Sequence, residues 1–366
     1  MRPGPALRRL ASLAACALVC ACSHIELEDC PAGVLGNDTL PRLRSSHYRM
    51  QLADTAAAAN RFVPYALMSA YAYRDDAGCH ADDRDNKVSQ ADAAELRRML
   101  ATTTPPESPW TLVPELGPPR GCEDEVGLMF HVWQREAGAR TFVVIAFRGT
   151  SGRGDWTYGN LWWFTRFVHP DNQLERAADG AQRVIDYFDH KALAAGRERP
   201  RYFATGHSLG GGLAQHVLYA HPRDVGQAVV FDPSSVTGFV SVGRENQKDG
   251  CACDSDLTPE ARILRVYESY EILSELRIFH KLLFQPERHV QEVRFPFDSS
   301  WNPLAEHSMQ NLATRLHGAA NQPKVGAQNQ PWYASRDQVC TDQFVSAQVV
   351  SCVKSAGDHA LDVCPR

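Results

Sequence analysis

The chain has 366 residues, 44% of them hydrophobic and 22% charged, with a net charge of −5. That length allows one large α/β domain with a well-buried core, plus appendages. The near-balanced charge, with no Lys/Arg run beyond the N-terminus, leaves no basic field for nucleic acid.

Residues 1–21 read as a signal peptide. Arg2, Arg8 and Arg9 are its basic start, Leu10 to Val19 its short apolar stretch, and Val19-Cys20-Ala21 its small-residue cleavage site. About ten largely apolar residues are too few to span a bilayer. Leu18-Val19-Cys20-Ala21-Cys22 resembles a bacterial lipobox. That resemblance implies acylation of Cys22 and, with Ser23 behind it, an outer-membrane lipoprotein. The alternative is plain secretion. Of 11 cysteines, Cys16 and Cys20 leave with the signal and Cys22 is the lipid-attachment candidate. The remainder is an even set: Cys30, Cys79, Cys122, Cys251, Cys253, Cys340, Cys352 and Cys364. An even set in an exported chain reads as disulfides. Cys251 and Cys253 are too close to bridge each other comfortably, so each is expected to pair at a distance. "CACDSD" matches no zinc spacing, and no metal is expected.

Residues 22–48 are polar and turn-rich, a tether or N-terminal arm. Ala53 to Tyr73 has helical periodicity, with an apolar stripe of Phe62, Tyr65, Ala66 and Met68 to Ala72. Pro64 is expected to kink or break it. "TTTPPESPWTLVPELGPPRG" reads as loop. "VGLMFHVWQ" alternates as a strand does, and "RTFVVIAFRGT" is a buried β-branched run. Asn172 to His190 reads as a helix, "RYFATG" as a strand, and Leu213 to Ala220 as a helix. "GQAVVFD", "RILRVYE" and "HVQEVRFPF" are three further strands. Strands alternating with helices predict an α/β fold with a mostly parallel sheet and helices on both faces, over residues 49–320. Residues 321–366 are Gln-rich and hold three cysteines, a disulfide-pinned C-terminal tail.

One stretch carries chemistry. Gly206-His207-Ser208-Leu209-Gly210 fits G-x-S-x-G between an apolar strand and a helix. The glycines flanking Ser208 relieve a bend in which side chains would clash, and the serine hydroxyl is left exposed at the bend. Serine is a poor nucleophile at neutral pH. It needs a base, and the base needs a carboxylate to hold its tautomer. Both are expected downstream, acid first and histidine second.

Four segments together resemble the fungal-type, or class 3, lipase family of the α/β-hydrolase superfamily: "VVIAFRGT", "GHSLGG", "RVYESYEIL" and "AEHSMQNL". The resemblance spans roughly Ala53 to Ala319. It implies Ser208 as nucleophile, Glu271 in the acid position and His307 as general base. It also implies Thr150 as the oxyanion residue, joined by the backbone N–H of Leu209. Glu271 departs from the family's usual aspartate, and its extra methylene changes the reach. Glu268 and Asp232 are the rival acids; His280, His289 and His317 are the rival bases. His207 is expected to point away from Ser208.

"SGRGDWTYGNLWWFTRFVHP" holds Trp156, Tyr158, Trp162, Trp163, Phe164 and Phe167. In the family a mobile lid follows the oxyanion strand, and an aromatic lid would dock on lipid; ordinary core packing is the alternative. The implied activity is cleavage of carboxylic esters of lipids through an acyl-enzyme, with no cofactor. A phospholipase or a soluble-ester esterase would use the same triad. The rival from another class is a non-catalytic envelope lipoprotein on a hydrolase scaffold. The expected partners are a lipid ester and, through the anchor and lid, a membrane.

Overall fold

A computed structural model of the chain describes residues 52–74, 88–118, 127–149, 170–234, 236–251, 262–268, 289–295, 297 and 308–321. Helix α1 is Leu52–Tyr71 and α2 is Gln90–Ala101. Strands follow at β1, Thr111–Leu112, β2, Phe130–Ala137, and β3, Arg140–Phe147. Then come α3, Pro170–Ala194, β4, Arg201–His207, α4, Leu209–Ala220, and β5, Val225–Phe231. Helix α5 is Arg244–Cys251, β6 is Ile263–Glu268, β7 is Val290–Phe295 and α6 is Met309–Ala320.

The strands lie in one seven-stranded sheet in the order in which they occur in the chain. β1, β2 and β3 are antiparallel neighbours; β3 to β7 run parallel. β3 is buried from Thr141 onward except for a half-buried Phe142, and every residue of β5 and β6 is buried. Such two-sided burial requires cover on both faces.

The cover divides by chain position. Right-handed crossovers that step one way across a sheet put their helices on one face. Accordingly α3 supplies Leu174, Ala181, Val184 and Phe188 to one core, and α4 adds Leu213, Val217 and Leu218. They pack on Phe130, Ile145, Ala204, Ala228 and Val230 of the sheet. The opposite face is closed by segments from the two ends of the domain. Phe62, Ala66 and Leu67 of α1, Leu96 of α2, and Leu312 and Leu316 of α6 pack on Val144, Phe203, Phe231, Val266 and Val293.

Several local expectations change. α1 runs through Pro64 without a break. Pro64 denies a donor to the carbonyl of Asn60, which is exposed and can bond water, while buried neighbours Phe62, Val63, Ala66 and Leu67 hold the helix to the sheet. Part of the Pro-rich segment is ordered: Thr111 and Leu112 pair with Gln134 and Trp133, and Pro114–Leu116 forms a 3-10 turn. α2 is a further helix, capped by the Ser89 side chain accepting the Asp92 N–H. The signal region, the Cys22 site, the aromatic segment 150–169 and the tail 322–366 lie outside the described residues. Cys251, buried at the end of α5, is disulfide-bonded. The other cysteines lie outside the described residues.

Candidate active site

Ser208 stands between β4 and α4 with φ 56° and ψ −122°. Left-handed backbone at a non-glycine residue costs of order 1–3 kcal/mol and persists only where its surroundings enforce it. They do so here. The Ser208 N–H donates to the Phe231 carbonyl at 3.1 Å, and its own carbonyl accepts N–H groups from Gly211 at 3.0 Å and Ser234 at 2.9 Å. The elbow is thereby tied to β5 on one side and to the first turn of α4 on the other. Although Ser208 occupies the N-cap position, its side chain makes no capping bond. The hydroxyl is thus not committed to holding the helix.

Glycines let the turn close. A Cβ on Gly206 would run into the Gly210 backbone, and one on Gly210 into the Phe147 carbonyl. A Cβ on Gly211 would lie 2.7 Å from the Pro233 side chain. Leu209 opens α4, so its N–H has no carbonyl four residues back within the helix. Together with the helix dipole, such N–H groups favour negative charge at a helix start.

The end of β3 reaches the same spot. The Arg148 N–H donates to the Met129 carbonyl at 2.9 Å. Gly149 then passes so close to the elbow that an added Cβ would lie 3.3 Å from the Ser208 Cβ and would strike the Tyr73 hydroxyl and the His207 carbonyl. Thr150 itself lies outside the described residues, as do Glu271, His307 and His280.

The rival groups fall into two sets. Asp232 and Glu268 end β5 and β6, on the Ser208 side of the sheet. Asp232 is buried at φ 38°, and its carboxylate accepts the Glu268 N–H at 3.3 Å. The fully buried Glu268 carboxylate is ion-paired with Arg315 of α6. The helix that follows His307 therefore lies over the strand end that precedes Glu271, and Ser308 is its N-cap. His289 and His317 sit elsewhere. Register places His207, Phe231, Val266 and Val293 at one level. His289 precedes Val293 by four residues, so it lies roughly 17 Å from the Ser208 level along the strands. It is fully buried and bonded to the Tyr219 hydroxyl at 2.7 Å. The Nε2 of His317 lies 3.1 Å from the Thr102 hydroxyl beyond α2.

Sequence reasoning missed Tyr73. It follows α1 in a tight turn, with its N–H donated to the Ala70 carbonyl at 3.2 Å. Its hydroxyl is 2.7 Å from His207 Nδ1 and also hydrogen-bonds the Gly149 backbone. Burial pushes this phenol well above its ordinary pKa, opposed by the buried Arg148 guanidinium and by the Gly149 bond. No local signal marks it, because its partners lie 134 residues away in the chain.

Among the described residues no His, Cys, Asp or Glu side chains converge as a metal site would. The mixed sheet, helices on both faces and the strand–serine–helix turn fit the α/β-hydrolase fold. No family model matches the chain, and no curated protein does. Several solved structures are similar at low identity. The iron-lacking apo form of ESTFA is 15% identical over 61% of this chain and 90% of its own, with a TM-score of 0.27. The S-formylglutathione hydrolase FrmB of Staphylococcus aureus is 12% identical over 57% and 97%, with a TM-score of 0.27. The peroxisomal α/β-hydrolase Lpx1 of Saccharomyces cerevisiae is 10% identical over 63% and 95%, with a TM-score of 0.26. At such values nothing about the reaction of this chain follows from them.

Proposed function

We propose that this chain is a serine hydrolase that cleaves carboxylic esters of lipids, a member of the class 3 lipase group. One observation carries the reading: Ser208 is held at a left-handed φ between a buried strand and a helix start, with Gly149, just beyond β3, close against its Cβ. Ser208 Oγ attacks the ester carbonyl while His307 takes its proton. The oxyanion that forms is met by Thr150 and the Leu209 N–H. His307 then protonates the leaving alcohol, and water, activated in the same way, releases the fatty acid and restores Ser208. Glu271 holds the imidazole and stabilises its charged form. The N-terminal sequence supports an envelope location with Cys22 as the acylated anchor, and the aromatic residues 156–167 support a lid that docks on lipid.

Ser208→Ala is expected to abolish labelling by a fluorophosphonate probe with an unchanged melting temperature. A variant labelled as fully as the wild type would remove Ser208 from the chemistry. On esters of increasing acyl length, a lipid substrate is expected to give rates that rise sharply when an interface forms. Equal rates with and without an interface would favour a soluble-ester esterase.

A further inference from the structure

We infer that Tyr73 is a positioning residue for the oxyanion side of the Ser208 site, because its hydroxyl ties the backbone before the oxyanion residue to the side chain before the nucleophile. The inference rests on the reading of Ser208 as nucleophile. It adds a residue far upstream of all four motifs.

Two hydrogen bonds meet at that hydroxyl, and a ring contact accompanies one of them. The Gly149 backbone bonds it, in a contact that favours the ionised phenol and so is donated by the N–H. His207 Nδ1 lies 2.7 Å away, and the two rings meet edge to face at 5.7 Å. Burial keeps the phenol protonated, so the O–H is available as donor to Nδ1, which leaves the imidazole proton on Nε2. The order is thus Gly149 N–H to Tyr73 Oη, and Tyr73 O–H to His207 Nδ1.

This arrangement constrains geometry where catalysis is sensitive to it. Gly149 has no slack on its far side, since any side chain would strike the Tyr73 hydroxyl and the His207 carbonyl. The residue after it is the one assigned to the oxyanion. A donor must lie within hydrogen-bond reach of the oxygen that forms in the transition state, and losing one such donor costs about 100- to 1000-fold in turnover. Loosening it costs less. Tyr73 is itself fixed by the turn that ends α1, so it transmits the position of the N-terminal helix to the oxyanion strand. It touches neither the substrate nor the Ser208 proton in this scheme.

The test is Tyr73→Phe in the full-length protein, which keeps the ring and removes the hydroxyl. The expected result is a fall in kcat of about 10- to 100-fold, with KM within about twofold. The fluorophosphonate labelling rate is expected to fall by a similar factor while labelling still reaches completion. Wild-type kcat and labelling rate, whatever the melting temperature does, would overturn the inference. If the Phe variant does not fold, His207 provides the second pair. His207→Asn offers an amide oxygen near the Nδ1 position and is expected to hold kcat within about threefold, while His207→Ala loses at least tenfold. Equal kcat in the two would overturn it as well. Failure here is distinct from failure of the hydrolase reading. Labelling that survives Ser208→Ala sinks the hydrolase reading, whereas Ser208-dependent labelling at an unchanged rate in Tyr73→Phe sinks only the role of Tyr73.

Discussion

Ser208 and Asp232 are the two non-glycine residues with positive φ among those described. They end adjacent parallel strands at the same edge of the sheet. Backbone strain gathers there because the turn must reverse direction immediately after a fully hydrogen-bonded strand. Buried histidines elsewhere set a different dependence, on pH. Burial holds His131 down to about 4, helped by the Arg74 charge. Burial also holds His216 down to about 4, opposed by the backbone of Gly238 and Thr237. In the unfolded chain both take up a proton near pH 6.5, whereas the folded protein resists until pH 4. Their contribution to stability is therefore complete above about pH 6.5 and lost as pH falls toward 4. Each amounts to roughly 3 kcal/mol over that window. The melting temperature is expected to drop between pH 6.5 and 4, and His131→Phe should flatten the slope. Identical slopes for the two proteins would show that His131 already titrates normally in the fold.

Among elements, α4 is the one whose sequence leaves least room for change. Gly206, Gly210, Gly211 and Gly212 let it pack on the ends of β3 and β4 and on the segment after β5. Gly210→Ala would force its Cβ into the Phe147 carbonyl and within 2.7 Å of the Arg148 backbone carbon. The expected cost is about 1–3 kcal/mol of stability, with slower fluorophosphonate labelling because the displaced atoms lead into Gly149. Gly318 is the contrast. It lies exposed inside α6, and an added Cβ meets nothing within 4 Å. Gly318→Ala is expected to stabilise by about 0.5–1 kcal/mol through helix propensity alone. Thermal melts of the two variants should move in opposite directions; a shift of the same sign would mean that one of these glycine environments is misjudged.

At the scale of the whole molecule, two cores share one sheet, and each has its own origin. The crossover helices α3, α4 and α5 build one. α1, α2 and α6 build the other, so the ends of the domain meet beside the elbow that α4 opens on the opposite face. Arg315 and Glu268 join α6 to β6 by a partly buried ion pair. The disulfide at Cys251 adds a covalent constraint at the end of α5. Reduction is expected to lower stability by about 2–4 kcal/mol, read as a fall in melting temperature under thiol. An unchanged melt, with thiol titration showing Cys251 reduced, would leave the bond without a stabilising role.

Sequence by itself determined the strands from β2 to β7: β3 shows as a nearly unbroken apolar run because it is buried on both faces, β2 shows by its alternation, and β4 to β7 show as short apolar-rich segments between turns and helices. It determined the Ser208 elbow too, because the bend and its glycines fall within seven consecutive residues. α3 was legible from its apolar period. Tertiary structure alone decided the rest. β1 is a strand because Trp133 and Gln134 lie beside it, not because Thr111 and Leu112 prefer one. α1 passes Pro64 because the sheet holds the helix on both sides of it. Which carboxylates are already engaged, Glu268 by Arg315 and Asp232 by the Glu268 N–H, depends on strands and a helix far apart in the chain. Tyr73 reaches Gly149 and His207 only after α1 has docked. Local propensity and periodicity act between residues within about two turns of each other, whereas these contacts join residues separated by more than twenty positions, and only packing brings them together.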